Sequence, residues 1–158
     1  MTLTGTDRIA SGDFRIPDAA AAGLLANPAS VSSELVHIRD ILLEKRVTLR
    51  AIFGPQHGYR GETQANMIEW KGYKDPESGI PVHSLYGENR SPTREMLEGI
   101  ELMIIDLQDV GTRCYTYTWT AVLMMKECAA SSISILVLDR PNPIGGESVE
   151  GPAVREGY

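Results

Sequence analysis

The sequence predicts an open α/β fold in which a mostly parallel sheet carries helices on both faces. Two observations predict it. First, short apolar stretches alternate along the chain with segments of helical pattern. Second, these stretches are apolar throughout instead of alternating with polar residues, which is typical of parallel strands buried on both faces. Together the two observations indicate a Rossmann-like domain.

Length and composition fit one folded domain. The chain has 158 residues, of which 42% are hydrophobic and 23% charged, and disordered chains are less apolar than this. The net charge of -6 argues against nucleic acid as a partner, because phosphate binding needs a clustered basic surface. No apolar stretch reaches the ~20 residues that cross a bilayer, so no membrane partner is expected. The polar first residues and the two cysteines predict a cytoplasmic location.

Five strands and three helices are predicted from the apolar pattern. The strands are predicted at residues 22–26, 47–53, 81–86, 101–106 and 134–139. The first helix follows a serine cap at Ser32 or Ser33, and its apolar stripe begins at Leu35 and Val36. The other two helices are predicted at residues 93–98 and 115–130, whereas residues 63–79 have no clean period and are predicted as irregular.

The predicted domain organisation has three parts. Residues 1–18 are expected to form an N-terminal lead-in, with a short helix as one alternative. Residues 19–146 are expected to form the α/β domain. Residues 147–158 follow the last predicted strand without a closing helix, and we expect them to be the start of a linker towards a second domain.

Polar side chains collect behind each predicted strand. Because the carboxyl ends of parallel strands meet at one edge of a sheet, where such folds bind ligands, we expect these side chains to form one site. The connections at the opposite edge, residues 44–46 and 131–132, carry nothing comparable. The candidate residues are Asn27, Gln56, His57, Arg60, Glu62, Tyr86, Asp106, Asp109, Arg113, Tyr115, Tyr117, Asp139, Arg140, Asn142 and Glu150.

The residue types at this edge favour a sugar over a cofactor. The sequence has no G-x-G-x-x-G fingerprint, no phosphate-binding loop and no nucleophile elbow, which leaves a nucleotide-dependent enzyme with only the fold in its favour. His57, His83, Asp106 and Asp109 match no metal-ligand spacing, so neither a metal nor a cofactor is predicted. Carboxylates beside tyrosines and a tryptophan suit a sugar ring and its hydroxyls.

A structural role is the open alternative for two of these carboxylates. Asp106 and Asp139 each end an apolar stretch. An aspartate in that position often caps the next helix or pairs with a neighbouring arginine. The sequence is thus compatible with a structural and with a functional role for both residues.

Four long motifs resemble the DUF1343 family. They are FGPQHGYRGE at residues 53–62, SLYG at 84–87, DLQDVGTRCYTY at 106–117, and LDRPNPIGG at 138–146 with VEGP at 149–152. The resemblance is collinear and covers residues 22–158. Characterised members of that family are exo-β-N-acetylmuramidases of the NamZ type, which release N-acetylmuramic acid from the non-reducing end of peptidoglycan fragments.

The resemblance implies a glycoside hydrolase domain, with a muramic-acid-containing sugar as substrate. It also implies a second α/β domain that supplies the other wall of the sugar cleft, so we expect no turnover from this chain by itself. A non-catalytic sugar- or small-molecule-binding domain is the alternative. An open apolar face left by the second domain would make homo-oligomers a further expectation.

The resemblance also implies roles for the loop at residues 53–62. Family members often have Glu-His-Gly where this chain has Gln56-His57-Gly58, so Glu62 is the one carboxylate of its loop. We expect Glu62 to be the general acid, buried against Tyr59 or Trp70 as glycosidase acids require.

Two further roles that the resemblance implies concern charge. Asp106 or Asp109 would stabilise the positive charge of the oxocarbenium-like transition state. His57, Arg60 and Arg113 would hold the lactyl carboxylate by charge-assisted hydrogen bonds.

Overall fold

The computed structural model describes residues 2–17, 20–63 and 67–157, which form one sheet with helices packed on it. Its elements in chain order are α1 (Gly5–Ser11), β1 (Ala21–Ala26), α2 (Ile38–Glu44), β2 (Thr48–Gly54), β3 (Tyr73–Lys74), β4 (Pro81–Ser84), β5 (Leu102–Asp106), α3 (Tyr117–Ala130) and β6 (Ser134–Val137). No helix in the described ranges has the length and apolar character needed to cross a bilayer.

The sheet has the strand order β3-β4-β2-β1-β5-β6. All neighbouring strands are parallel except β3, which runs antiparallel to β4. Counted in chain order, the five parallel strands are arranged 3-2-1-4-5, so the direction of winding reverses between β1 and β5. Ligands of open α/β folds bind outside the carboxyl ends of the strands at such a point. In this chain Ala26 lies opposite Asp106 there. The predicted fold class is confirmed.

Two apolar cores cover the two faces of the sheet. The side chains of β1 alternate between them, since Leu24 packs with Ile38 and Ile41 of α2, while Leu25 packs with Met124 of α3. Every residue of β1 is buried. This explains why the strand is apolar throughout, and it confirms that helices lie on both faces.

The segment predicted as a lead-in is bound to the carboxyl edge of the sheet. Helix α1 is closed by a capping box between Thr4 and Asp7. Gly5 packs so closely on the residue after β6 that a Cβ atom would come within 2.7 Å of the Leu138 Cα. Thr6 is fully buried and donates a hydrogen bond to Asp106. The helix is thus tied to the sheet by side chains, while the predicted domain boundaries stay predictions.

The predicted beginning of α2 is wrong. A tight turn precedes the helix, in which Leu35 N–H donates to the Ser32 carbonyl and Ser32 N–H donates to the Val36 carbonyl. Leu35 has a φ of +60° and is 81% exposed, so it takes no part in the apolar stripe. The turn places His37 at the N-cap, where its ring nitrogen accepts the Arg39 N–H.

Two further local predictions are wrong. Residues 93–98 form turns with i to i+3 hydrogen bonds instead of a helix. Their Leu97 is nevertheless buried in the core that packs against α3. The stretch predicted as irregular contains β3, which pairs Tyr73 with Val82 and Lys74 with Pro81.

Candidate functional site

Asp106, at the reversal point of the sheet, is fully buried and fully paired. Its Oδ1 accepts a hydrogen bond from Arg140 Nε at 2.5 Å, and its Oδ2 accepts from Arg140 Nη2 at 2.8 Å and from Thr6 Oγ1 at 2.6 Å. Arg140 Nη2 also donates to the Val31 carbonyl at 2.9 Å. These contacts with Asp106 raise the pKa of Arg140. The structure thus gives Asp106 the arginine partner that the structural alternative requires.

Asn27, directly after β1, builds the neighbouring turn. Its Oδ1 accepts hydrogen bonds from Ser30 Oγ and Ala29 N–H, and its carbonyl lies 2.9 Å from His37 Nε2. Because the other ring nitrogen of His37 accepts the Arg39 N–H, Nε2 carries the proton and donates it to Asn27. Burial lowers the pKa of His37, which keeps this ring neutral. Asn27 is therefore buried, and its side-chain oxygen already accepts two hydrogen bonds within the protein.

The loop after β2 holds the carboxylate of Glu62 between two donors. Arg60 N–H donates to Oε2 at 3.0 Å, and the Tyr73 hydroxyl donates to Oε1 at 2.5 Å. Gly58 has a φ of +91°, and a Cβ atom there would overlap Glu62 Oε2. Glycine is therefore required at this position for two reasons: the positive φ and the closeness of the Glu62 carboxylate.

Glu62 is exposed, so the expected burial against Tyr59 or Trp70 is wrong. Those two aromatic side chains are themselves buried in the core, and Trp70 Nε1 donates to the Pro55 carbonyl at 3.1 Å. The loop thus turns its aromatic side chains inward and its carboxylate towards Tyr73 of β3. Burial, reinforced by the Glu62 carboxylate, raises the pKa of Tyr73, so its phenol remains a donor.

His57 lies at the sharpest point of the same loop. It has a φ of +70°, which non-glycine residues rarely adopt, and it is half-buried. Its Nδ1 lies 3.0 Å from the Thr63 carbonyl, which can only accept, so Nδ1 carries a proton. A strained residue at the edge where open α/β folds bind ligands supports a functional role for the loop.

An ion network centred on the buried Asp75 lies beneath this loop. Asp75, whose side chain has no exposed surface, accepts hydrogen bonds from Arg39 and from Arg60 at 2.9 Å each. Glu77 binds both arginines, and Asp40 binds Arg39. Arg60 is therefore already paired with protein carboxylates, which leaves less of its charge for a lactyl carboxylate than the sequence suggested.

Gln56 joins the loop after β2 to the start of α3. Its side-chain oxygen accepts a hydrogen bond from Thr116 Oγ1 at 2.9 Å, and its carbonyl accepts from the Tyr117 hydroxyl at 3.2 Å. Tyr115 and Tyr117 are in contact, with ring centroids 4.5 Å apart. Burial raises the pKa of Tyr115 to about 12. The loop after β2 and the start of α3 thus meet through Gln56, Thr116 and Tyr117.

The remaining predicted site residues are more open. Asp109, Arg113, Asp139 and Glu150 are exposed, and Tyr86 and Asn142 are half-buried. Arg113 donates to the Pro152 carbonyl at 2.8 Å, which ties the last described stretch of chain to the loop after β5. Within the described ranges, no group of three histidine, cysteine or acidic side chains is arranged to hold a metal ion.

A cavity of about 430 Å³ opens beside the Glu62 loop, and the sequence did not indicate it. It lies between the loop after β1, the start of α2 and the loop after β2, and it is lined by Pro28, Val31, His37, Arg39, Asp40, Tyr59 and Arg60. Apart from Arg60, none of these was predicted as a site residue. In the sequence, Tyr59 and Arg60 are adjacent and could have been noticed. Arg39 lies 20 residues earlier, and only the fold brings it next to them.

Comparison with known proteins decides the family. Residues 22–158 match the family model described as "Exo-beta-N-acetylmuramidase NamZ, N-terminal". The chain belongs to this family. It is also 46% identical over 137 residues to the peptidoglycan β-N-acetylmuramidase NamZ of Bacillus subtilis (strain 168), a match that covers 86% of this chain and 33% of the relative. The predicted family membership is therefore confirmed.

Two crystal structures of DUF1343 family proteins from Bacteroides fragilis NCTC 9343 share the NamZ N-terminal fold of this chain. One superposes with a TM-score of 0.86 at 41% identity, covering 99% of this chain and 39% of its own. The other has a TM-score of 0.71 at 34% identity and covers 89% of this chain and 35% of its own. The chain thus spans between a third and two fifths of the length of these relatives.

Proposed function

We propose that this chain supplies the acid-bearing half of an exo-acting β-N-acetylmuramidase site. The observation that carries the proposal is the NamZ N-terminal match, which includes the Glu62 loop and every other motif at the carboxyl edge. The substrate would be a muramic-acid-containing sugar or peptidoglycan fragment, and the reaction the hydrolysis of its glycosidic bond. No cofactor is invoked in this proposal.

Glu62 is the proposed general acid. It is accessible, and its carboxylate is held in place by Arg60 N–H and the Tyr73 hydroxyl. A phenol hydroxyl can donate to a carboxylate and can accept from a carboxylic acid. Tyr73 therefore fits both protonation states that a general acid passes through, and the orientation of Glu62 is kept in each.

Asp109 is the better of the two proposed charge stabilisers. Asp106 has no exposed surface and is neutralised by Arg140, so it has little to offer an incoming positive charge. Asp109 is exposed in the next loop, and its Oδ1 accepts the Gly111 N–H at 2.8 Å. Its second oxygen has no hydrogen bond from any described residue, which leaves it able to face a developing cation.

The other wall of the cleft would come from the remaining part of the fold that longer relatives contain. This chain matches 33% of the B. subtilis relative, so most of that protein lies outside the match. We therefore expect the 158-residue chain to bind a muramyl sugar without turning it over. A glycosidase needs groups on both sides of the scissile bond, and the described edge supplies one side.

A chimera tests the proposal. This chain would replace the matching residues of B. subtilis NamZ, and hydrolysis of a chromogenic N-acetylmuramide would be measured with wild-type B. subtilis NamZ as reference. We expect the chimera to hydrolyse the substrate and its Glu62→Gln form to lose at least 100-fold in rate. Glu44→Gln, which neutralises an exposed glutamate at the opposite edge of the sheet, is the matched control and should retain activity within threefold.

Each other outcome contradicts a specific part of the proposal. An active chimera whose Glu62→Gln form keeps its rate shows that Glu62 is not the acid. A chimera that is folded but inactive favours the alternative, a non-catalytic sugar-binding domain. The observation behind that alternative is that Asp106 and Arg60 are already paired within the protein.

Location and assembly stay predictions. The cytoplasmic location rests on the sequence pattern alone. Self-association is supported by apolar side chains at the outer strand of the sheet, where Ile135 and Val137 of β6 are exposed, and by Trp119 of α3, which is 64% exposed. Light scattering of the 158-residue chain at several concentrations would measure it, and a constant monomer mass would contradict it.

A further inference from the structure

We propose that a cavity at the amino edge of the sheet binds an organic anion with an apolar body, at a site separate from Glu62. The cavity has about 460 Å³, which lies within the range of small-molecule pockets. Its walls are α1 with the stretch that follows it, and the connection from α2 to β2. The lining residues are Ile9, Ser11, Gly12, Phe14, Arg15, Ile16, Lys45 and Val47.

The cavity is remote from the proposed sugar site. Lys45 and Val47 directly precede β2, and the stretch after α1 leads to β1, so the lining residues lie where parallel strands begin. The Glu62 loop follows the end of β2. Strand β2 has seven residues at about 3.3 Å each, so about 20 Å separate the two edges. The inference therefore does not rest on the proposed function.

The floor of the cavity is apolar. Ile9 and Ile16 are buried in the core that contains the apolar side of α2, and Val47 packs against the same core. Phe14 is 41% exposed at the cavity. An apolar ligand body would cover this ring, and removing apolar surface from water is favourable.

Two cations frame this apolar floor. Arg15 and Lys45 are exposed, and neither side chain forms a hydrogen bond or ion pair with a described residue. Among the described residues that line the cavity, none is acidic. The ion pairs found in the described ranges belong to Arg39, Arg60, Arg90 and Arg140. An arginine beside a lysine can bind a carboxylate or a phosphate by charge-assisted hydrogen bonds.

Neither cation is needed to cap a helix. Lysine and arginine near a helix end commonly bind the carbonyls that the last turn leaves free. Here the backbone takes that role, since Phe14 N–H donates to the Arg8 carbonyl of α1 at 2.9 Å. In α2, Val47 N–H donates to the Leu42 carbonyl at 2.9 Å. The charges of the two cations therefore remain available to a ligand.

The local charge is opposite to that of the chain. The whole chain carries a net charge of -6. The two stretches that border the cavity, residues 8–16 and 44–47, contain four basic and two acidic side chains, so their net charge is positive. Such a surface attracts anions and repels cations, and added salt weakens the attraction. Charge complementarity thus selects an anionic head group, and the exposed Phe14 an apolar body.

Nuclear magnetic resonance titration of the 158-residue chain with octanoate tests the inference. Octylammonium carries a cation on the same apolar chain, and acetate carries the carboxylate without the chain. We expect octanoate to shift the amide signals of Phe14, Lys45 and Val47 saturably, and the other two ligands to bind at least tenfold more weakly. Octyl phosphate distinguishes the two anionic head groups, and tighter binding of it assigns the site to phosphates.

A double variant locates the binding site. Arg15→Gln combined with Lys45→Gln removes both charges and should weaken octanoate binding at least tenfold. The matched control combines Arg94→Gln with Lys126→Gln, which removes one exposed arginine and one exposed lysine beside the core on the other face of the sheet. The control should bind octanoate as the unaltered chain does.

Three results would overturn the inference: no binding of octanoate or octyl phosphate, equally tight binding of octylammonium, or an unchanged affinity of the double variant. Equal losses in the double variant and its control would also overturn it, since they would report the net charge alone. N-acetylmuramic acid should bind the double variant and the unaltered chain equally, and weaker binding to the variant would contradict the separation of the two sites. Failure of the proposed function and failure of this inference therefore appear in different titrations.

Discussion

Asp106 and Glu62 are carboxylates at the same edge of one sheet, yet their surroundings are opposite. Asp106 has no exposed surface and accepts three hydrogen bonds from Arg140 and Thr6. Glu62 is exposed, and it is held by one backbone N–H and one phenol. The first arrangement ties the ends of β5 and β6 to α1, and the second presents a carboxylate to solvent in a fixed orientation.

The difference shows that position at the carboxyl edge does not by itself leave a carboxylate accessible to a ligand. The reversal point between β1 and β5 is where ligands usually bind, but here it is filled by Thr6 and Arg140. The accessible chemistry lies to one side, at the loop after β2 and around Tyr59. The carboxyl edge is thus divided into a closed region around Asp106 and an open region around Glu62, and this division can be tested by substitution.

The largest expected effect is on the closed region. Asp106→Ala would leave the half-buried Arg140 without its partner, and breaking an ion pair of this kind costs at most about 3–5 kcal/mol of the free energy of unfolding. Urea denaturation measures this loss. Asp139→Asn, which changes an exposed carboxylate one residue before Arg140, should change stability by less than about 0.5 kcal/mol. Equal effects of the two substitutions would remove the distinction between buried and exposed acids.

A smaller effect concerns Asp7, which fixes α1 to the closed region. The hydrogen bond from Ser33 N–H is the main cause that lowers the pKa of Asp7 from 3.8 to about 2. A carboxylate with a lowered pKa stabilises the fold above pH 3.8, and that stabilisation is lost as the pH falls towards about 2. Asp7→Asn should therefore cost about 1 kcal/mol at pH 6 and less at pH 3. A difference that is independent of pH would show that the charge of Asp7 does not matter.

The fold was predictable because its signal is local. Each buried parallel strand is an apolar run, and such runs are visible without knowing what lies next to them. Strand β3 was missed because it has two residues and its pairing with β4 depends on the hairpin around Asp75. The cap of α2 was missed because the preceding turn needs a positive φ at Leu35. A glycine would have indicated such a turn in the sequence, but a leucine does not.

The edge of the sheet that carries the candidate residues could be predicted from the sequence, whereas most of their hydrogen-bond partners could not. The candidate residues do lie behind the strands, but their partners are far away in the sequence. Thr6 and Asp106 are 100 residues apart, and Gln56 and Thr116 are 60 apart. Sequence spacing contains no information on such pairs, so it could not show that Asp106 is neutralised. Nor could it show that Tyr73, in a stretch without a clean period, would hold Glu62.

The most direct test of the open region is calorimetric titration of N-acetylmuramic acid into the 158-residue chain and into its Glu62→Gln form. The substitution keeps the shape of the side chain and removes its charge, so the fold should not change. We expect saturable binding by the unaltered chain and a loss of about tenfold in affinity for Glu62→Gln, since one charged hydrogen bond is worth about 1.5 kcal/mol. Equal affinities of the two forms would contradict the assignment of Glu62 to the sugar site.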